Sequence, residues 1–127
     1  LGNFVIALLK AKSAYSAAKA PTRTHKDIEF EAIARITHRL IAASRKGTEG
    51  FNDLVSAVSD NRKLWTIFAA DLASKGNSYP PQLKDSLIDL ADFTRTHSSK
   101  VLARKAHVGP LVEINTAIMC DLRSGAT

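Results

Sequence analysis

The sequence predicts an all-α protein, a small helical bundle of about four to five helices with no sheet. Three observations predict it. Apolar residues recur at spacings of three and four in segment after segment, the period of one helix face. The four prolines and six glycines fall between those segments or at their starts, where they punctuate helices rather than break them. No stretch of comparable length shows the two-residue alternation of a strand. At 127 residues the chain reads as one domain spanning 1–127, able to bury roughly two thirds of its unfolded surface.

The first expected helix runs from about Phe4 to Ala20, rich in Ala, Leu and Lys and stopped by Pro21. Thr24 is placed to cap a second helix, with Asp27 in its first turn. Ile28, Ala32, Ile33, Ile36, Leu40 and Ile41 form its apolar stripe, and Arg45-Lys46-Gly47 supplies a basic last turn and a glycine stop. A third helix is expected from about Glu49 to Ala73. Leu54, Val55, Val58, Trp65, Phe68 and Leu72 line one side of it, with a skip near Asn61 and Arg62. Gly76-Asn77-Ser78 reads as a loop. Pro80 and Pro81 then pre-set the start of a fourth helix, since proline suits a first turn. Leu83, Leu87, Leu90, Ala91, Thr94, Val101 and Leu102 carry that helix to about Lys105. Gly109-Pro110 interrupts, and Leu111 to Leu122 forms a short final helix.

The formal charge of +6 is unevenly placed. Leu1 to Lys26 holds five basic residues and no acidic one, whereas the rest of the chain holds 13 basic and 12 acidic residues. Residues 1–23 therefore read as a basic N-terminal helix or arm, and any acidic partner would be met mainly there. The opening run Leu1 to Leu9 is too short to span a bilayer, and its lysines follow it, the reverse of a secretory leader. Leu1 to Lys12 is either native helix or foreign sequence. The single cysteine, Cys120, rules out an internal disulfide framework and fits a reducing cytoplasmic compartment. Its apolar neighbours Ile118 and Met119 make a small buried hydrophobe its expected role.

Templates for catalysis fail on spacing. His25, His38, His97 and His107 include no pair three or four residues apart, so no metal site is expected. His97, beside the stripe of the fourth helix, reads as a hydrogen-bonded and partly buried imidazole. Gly47 and Gly50 precede no Lys-Ser or Lys-Thr pair, so no phosphate loop is present. Asp85, Asp89 and Asp92 share one helix face, which reads as solvated acid rather than acid–base machinery. A non-enzyme without cofactors is the expectation. The arm carries Tyr15 but no regular aromatic and basic interleaving, so direct nucleic-acid binding is disfavoured.

The run Asn61-Arg62-Lys63-Leu64-Trp65, followed by Phe68 and Asp71-Leu72, resembles the flagellar biosynthesis regulator family FlaF of alphaproteobacteria. Asn77-Ser78-Tyr79-Pro80, Ser86 to Phe93, and Leu111 to Met119 with its Ile114-Asn115 pair continue the match in order. Ala14-Tyr15 and Asp27-Ile28-Glu29 are consistent with the family's opening. The resemblance covers roughly Ala14 to Leu122 and departs at Cys120-Asp121, where a glycine is expected. It implies a small helical protein that promotes flagellin synthesis and secretion, binding flagellin in the cytoplasm as a secretion chaperone does. It further implies action opposite a second regulator, FlbT, which represses flagellin messenger RNA.

Helical flagellin termini would suit an apolar groove on a helical protein. The partner-binding candidates are Leu64, Trp65, Phe68 and Met119 as apolar anchors, with Asn61 and Asn115 as polar contacts at the rim. Trp65 and Phe68 read first as core and second as interface. The alternative function is an RNA-binding post-transcriptional regulator that meets flagellin mRNA through the basic arm.

Overall fold

A computed structural model describes residues 25–77 and 79–124 of the chain. The expected helix over Phe4 to Ala20, the basic arm over residues 1–23 and the Thr24 cap lie outside the described residues, as does the side chain of Leu83. The described residues form four helices and no strand: α1 (His25–Arg45), α2 (Phe51–Ala73), α3 (Pro81–Leu102) and α4 (Gly109–Ser124). The protein is a small all-α bundle. Helix α1 packs against α2 and α4, α2 packs against α3, and α3 and α4 meet only lightly.

Each boundary has a local cause. Gly47, at φ +64, ends α1 in the left-handed conformation that glycine adopts without steric cost. The third helix starts later than the sequence suggests, because Gly47–Gly50 forms a 3₁₀ turn before Phe51. Gly50 is buried there. A Cβ on it would collide with the Ala43 carbonyl oxygen and press on Lys46 Cβ at 2.7 Å, so only glycine permits so tight a corner. Between α2 and α3, Asn77 Oδ1 accepts the Tyr79 backbone N–H at 3.0 Å, while Lys84 Nζ donates to the Asn77 carbonyl at 2.8 Å. Pro81 then opens α3.

Helix α3 ends at Leu102 rather than near Lys105. Lys105 N–H donates to Lys100 O at 2.8 Å and Arg104 N–H to Val101 O at 3.0 Å, the paired bonds of a Schellman cap. Arg104 takes the left-handed position usually given to glycine, at φ 61. Its guanidinium lies 4.0 Å above the Phe51 ring, a cation–π contact that offsets part of the backbone strain.

The α1–α2 hairpin is clamped on its outside. Arg39 donates to Asp60 at 2.7 Å and to Ser56 at 3.0 Å, and Lys46 donates to Asp53 at 2.9 Å. The hydrogen bond and charge of Lys46 hold the Asp53 carboxyl below its ordinary value, and Arg39 does the same for Asp60. A carboxylate depressed in the folded state contributes stability above its unfolded value of about 4, and loses it as pH falls through the folded value. Because these groups are exposed, the contribution is small. Asp60→Asn should therefore lower the denaturation midpoint slightly at neutral pH and leave it unchanged at about pH 2. A deficit that persists in acid would contradict an ionic origin.

Three apolar clusters run along the interior. The first joins Leu40, Ala57, Val58, Val101, Val108 and Leu111, near the 3₁₀ corner. The second centres on Trp65 and Ile118, with Phe30, Ile33, Leu90 and Ile114 packed round them. The third joins Leu72 and Leu87. These stripes follow the predicted periodicity, apart from the level between the first cluster and the second.

Candidate functional site

At that level every helix turns a polar residue inward. Thr37 stands between Ile33 and Leu40 on α1, Asn61 between Val58 and Trp65 on α2, and Asn115 between Leu111 and Ile118 on α4. On α3 the level holds two residues, Thr94 and Ser98, between Leu90 and Val101. All five are buried, Asn61 at 0% exposure and Asn115 at 1%.

The bonds within this layer run in one direction. The indole N–H of Trp65 can only donate, and it donates to Asn115 Oδ1 at 3.0 Å. That fixes the Asn115 amide with its nitrogen turned toward Asn61, and Nδ2 donates to Asn61 Oδ1 at 2.8 Å. Trp65, at 4% exposure, also packs edge-on against Phe68, with ring centroids 5.6 Å apart and planes at 71°. The layer thus ties α2 to α4 across fifty residues of sequence.

This geometry settles where the sequence-derived candidates stand. Trp65, Asn61 and Asn115 come together in the interior rather than on the floor of an open groove, with Phe68 edge-on against Trp65. Asn61 and Asn115 are not at a rim. They occupy core positions of their helices, and the apparent skip in the α2 stripe is a buried asparagine that continues it. Phe68, Leu64 and Met119 are half-buried. Cys120 is exposed, contrary to its expected burial. Two residues past Ile118, it has rotated about 200° round the helix and faces away from the core.

His97 behaves as expected. Its Nε2 donates to the His107 carbonyl at 2.8 Å, and its ring stacks on Phe93 at 5.4 Å. Asp85, Asp89 and Asp92 are all exposed. Among the described residues no group of three or more His, Cys, Asp or Glu is arranged to hold a metal ion. Nor is any helix among them long and apolar enough to cross a membrane.

An open surface groove lies elsewhere, between the last turns of α1 and the first half of α4. It has a volume of about 1030 Å³ and is mostly apolar, with Ile41, Leu54, Val101 and Val112 among its lining and Ser44 and Thr116 as polar members. That is at the upper end of the roughly 300–1,000 Å³ of small-molecule pockets, though this one is a trough rather than an enclosed cavity. Its existence depends on Gly109-Pro110, which starts α4 beside the groove, and on the loop from Ala103 that carries the chain to it. Sequence reasoning missed the groove. Ile41 stands in the apolar stripe of α1 and Val112 to Ala117 stand within the Leu111 to Met119 family match, and neither pattern marks a groove.

A family model described as flagellar protein FlaF matches residues 11–122 of the chain. No curated protein and no solved structure gives a significant match.

Proposed function

Because the chain belongs to the FlaF family of flagellar proteins, we propose that it is a non-catalytic, cytoplasmic regulator of flagellum biogenesis that binds flagellin. In this reading it holds a helical terminal segment of flagellin before assembly, and so promotes flagellin synthesis and secretion in the manner of a chaperone, opposite the regulator FlbT. The observation that carries the reading is the apolar trough between α1 and α4. An amphipathic helix laid in such a trough buries its apolar stripe against both helical walls. The trough is lined by residues other than Trp65 and Asn115, and Val101 and Val108 of the first core cluster form part of its floor, so recognition is assigned to a place apart from the Trp65 layer.

The alternative, an RNA-binding regulator acting through residues 1–23, rests on charge alone. A pulldown from motile cells, run with and without nuclease, separates the two. Flagellin should co-purify with the full chain whether or not nuclease is present. Loss of association on nuclease treatment, or no flagellin in the eluate at micromolar protein, would turn the assignment away from direct flagellin binding.

A further inference from the structure

Among the described residues, three buried polar atoms of the interior layer make no hydrogen bond: Asn61 Nδ2, Thr94 Oγ1 and Ser98 Oγ. Their residues are 0–1% exposed, so bulk solvent does not serve them. Orphans of this kind cost roughly 1–3 kcal/mol each, and native interiors rarely keep them.

The two hydroxyls are distinctive. A serine or threonine inside a helix usually donates back to the carbonyl four residues earlier. Thr37 does this to Ile33 at 2.7 Å, Ser86 to Gln82 at 3.1 Å and Ser99 to Arg95 at 3.4 Å. Thr94 and Ser98 do not. Four residues apart on α3, they share one face, and both are buried against the interior.

The antiparallel register of α2 and α3 says what they face. Val58 and Val101 share the first cluster, and Leu72 and Leu87 share the third. Three residues inward from Val58 and Val101 along each helix, Asn61 comes level with Ser98. Seven inward from Leu72 and Leu87, Trp65 comes level with Thr94. Ser98 is therefore level with Asn61, at the end of the Trp65–Asn115–Asn61 relay, and Thr94 lies one turn away along α3, and among the described residues Asn61 Nδ2 and both hydroxyls make no hydrogen bond.

We propose that the Asn61, Thr94 and Ser98 side chains form an internal water-binding site, and that α3 joins the polar layer through that water. The chemistry matches. Asn61 Nδ2 offers two donors, and each hydroxyl offers one donor and two acceptor lone pairs. A water that accepts from the amide and donates to the hydroxyl oxygens satisfies all three groups with the two to four partners a buried water needs. The layer then fixes the register of three helices, two by direct bonds and one by a solvent molecule.

The test uses the full chain labelled with nitrogen-15. Water-selective NOE and ROE spectra should show the Asn61 side-chain amide in contact with a long-lived water. In the double variant Thr94→Val, Ser98→Ala that contact should vanish, and the unfolding equilibrium constant should rise about fivefold or more, because the Asn61 amide loses its acceptor. The wild-type spectrum decides the matter even if the double variant folds poorly. Absence of the water contact in the wild type would overturn the proposal. So would a double variant as stable as the parent or more stable, the result expected where the hydroxyls are simply unpaired.

Discussion

Truncating Trp65 to alanine is expected to cost about 3–5 kcal/mol of folding stability. The indole is 4% exposed and packs with Ile118, Phe68, Leu90 and Ile114 in the middle cluster. Its removal leaves a cavity in the middle cluster, ends the edge-on contact with Phe68 and takes the donor away from Asn115 Oδ1. Trp65→Phe should recover most of the loss by restoring apolar volume, leaving the residual cost of the unpaired amide oxygen, about 1–2 kcal/mol. Denaturant titration followed by far-UV circular dichroism measures both, since the chain's only tryptophan is the residue removed. A loss below about 1 kcal/mol for the alanine variant would mean that Trp65 is not the core anchor.

Asn115→Leu should be almost as damaging, although it makes the site more apolar. Leucine is similar in size, so the cost is not a cavity. It is the simultaneous orphaning of the Trp65 indole N–H and of Asn61 Oδ1, both buried, at roughly 1–3 kcal/mol each. Trp65 fluorescence reports the transition in this case. The double variant Asn61→Leu, Asn115→Leu removes both amides, so the relay itself leaves only the indole N–H unpaired. It should be less destabilised than the two single losses added together, by about 0.5–3 kcal/mol. Strict additivity would contradict a hydrogen-bonded relay. The apolar double variant is also expected to relax the specificity that a buried amide confers on helix register, visible as broadened amide resonances.

The bundle itself was legible because its information is local. Apolar spacing marked the helices, and Gly47 and Pro81 marked ends that the structure confirms. The misplaced end of α3 shows the limit. Arg104 occupies the left-handed cap position, and nothing in its side chain announces that role until Phe51 is seen beneath it. The polar layer fails the same way on a larger scale. Asn61 looked like a skip because a single polar residue in a stripe has many explanations. Its meaning depends on Asn115, 54 residues away, and on two hydroxyls of a third helix. Each of those residues is unremarkable alone, and only the shared level makes them one feature.

The trough had still less to announce it. Its lining is drawn from all four described helices and from the connection before α4, so it depends on how distant segments come together rather than on any one residue pattern. The family resemblance pointed to Trp65 and its neighbours because they identify the chain well. Burial explains that without assigning them contact with a partner, since a residue can mark a family by holding its core together.

In the proposed function, flagellin lies in the trough between α1 and α4 and not against the Trp65 layer. Thr116→Arg tests it most directly, because Thr116 lines the trough, is exposed and has no part in the core. Titration calorimetry of the full chain with purified flagellin should give micromolar binding for the parent. The variant should bind at least about tenfold more weakly, a loss of roughly 1.4 kcal/mol, with an unchanged thermal midpoint. Equal affinity of parent and variant, or no heat of binding for the parent at micromolar concentration, would contradict the account.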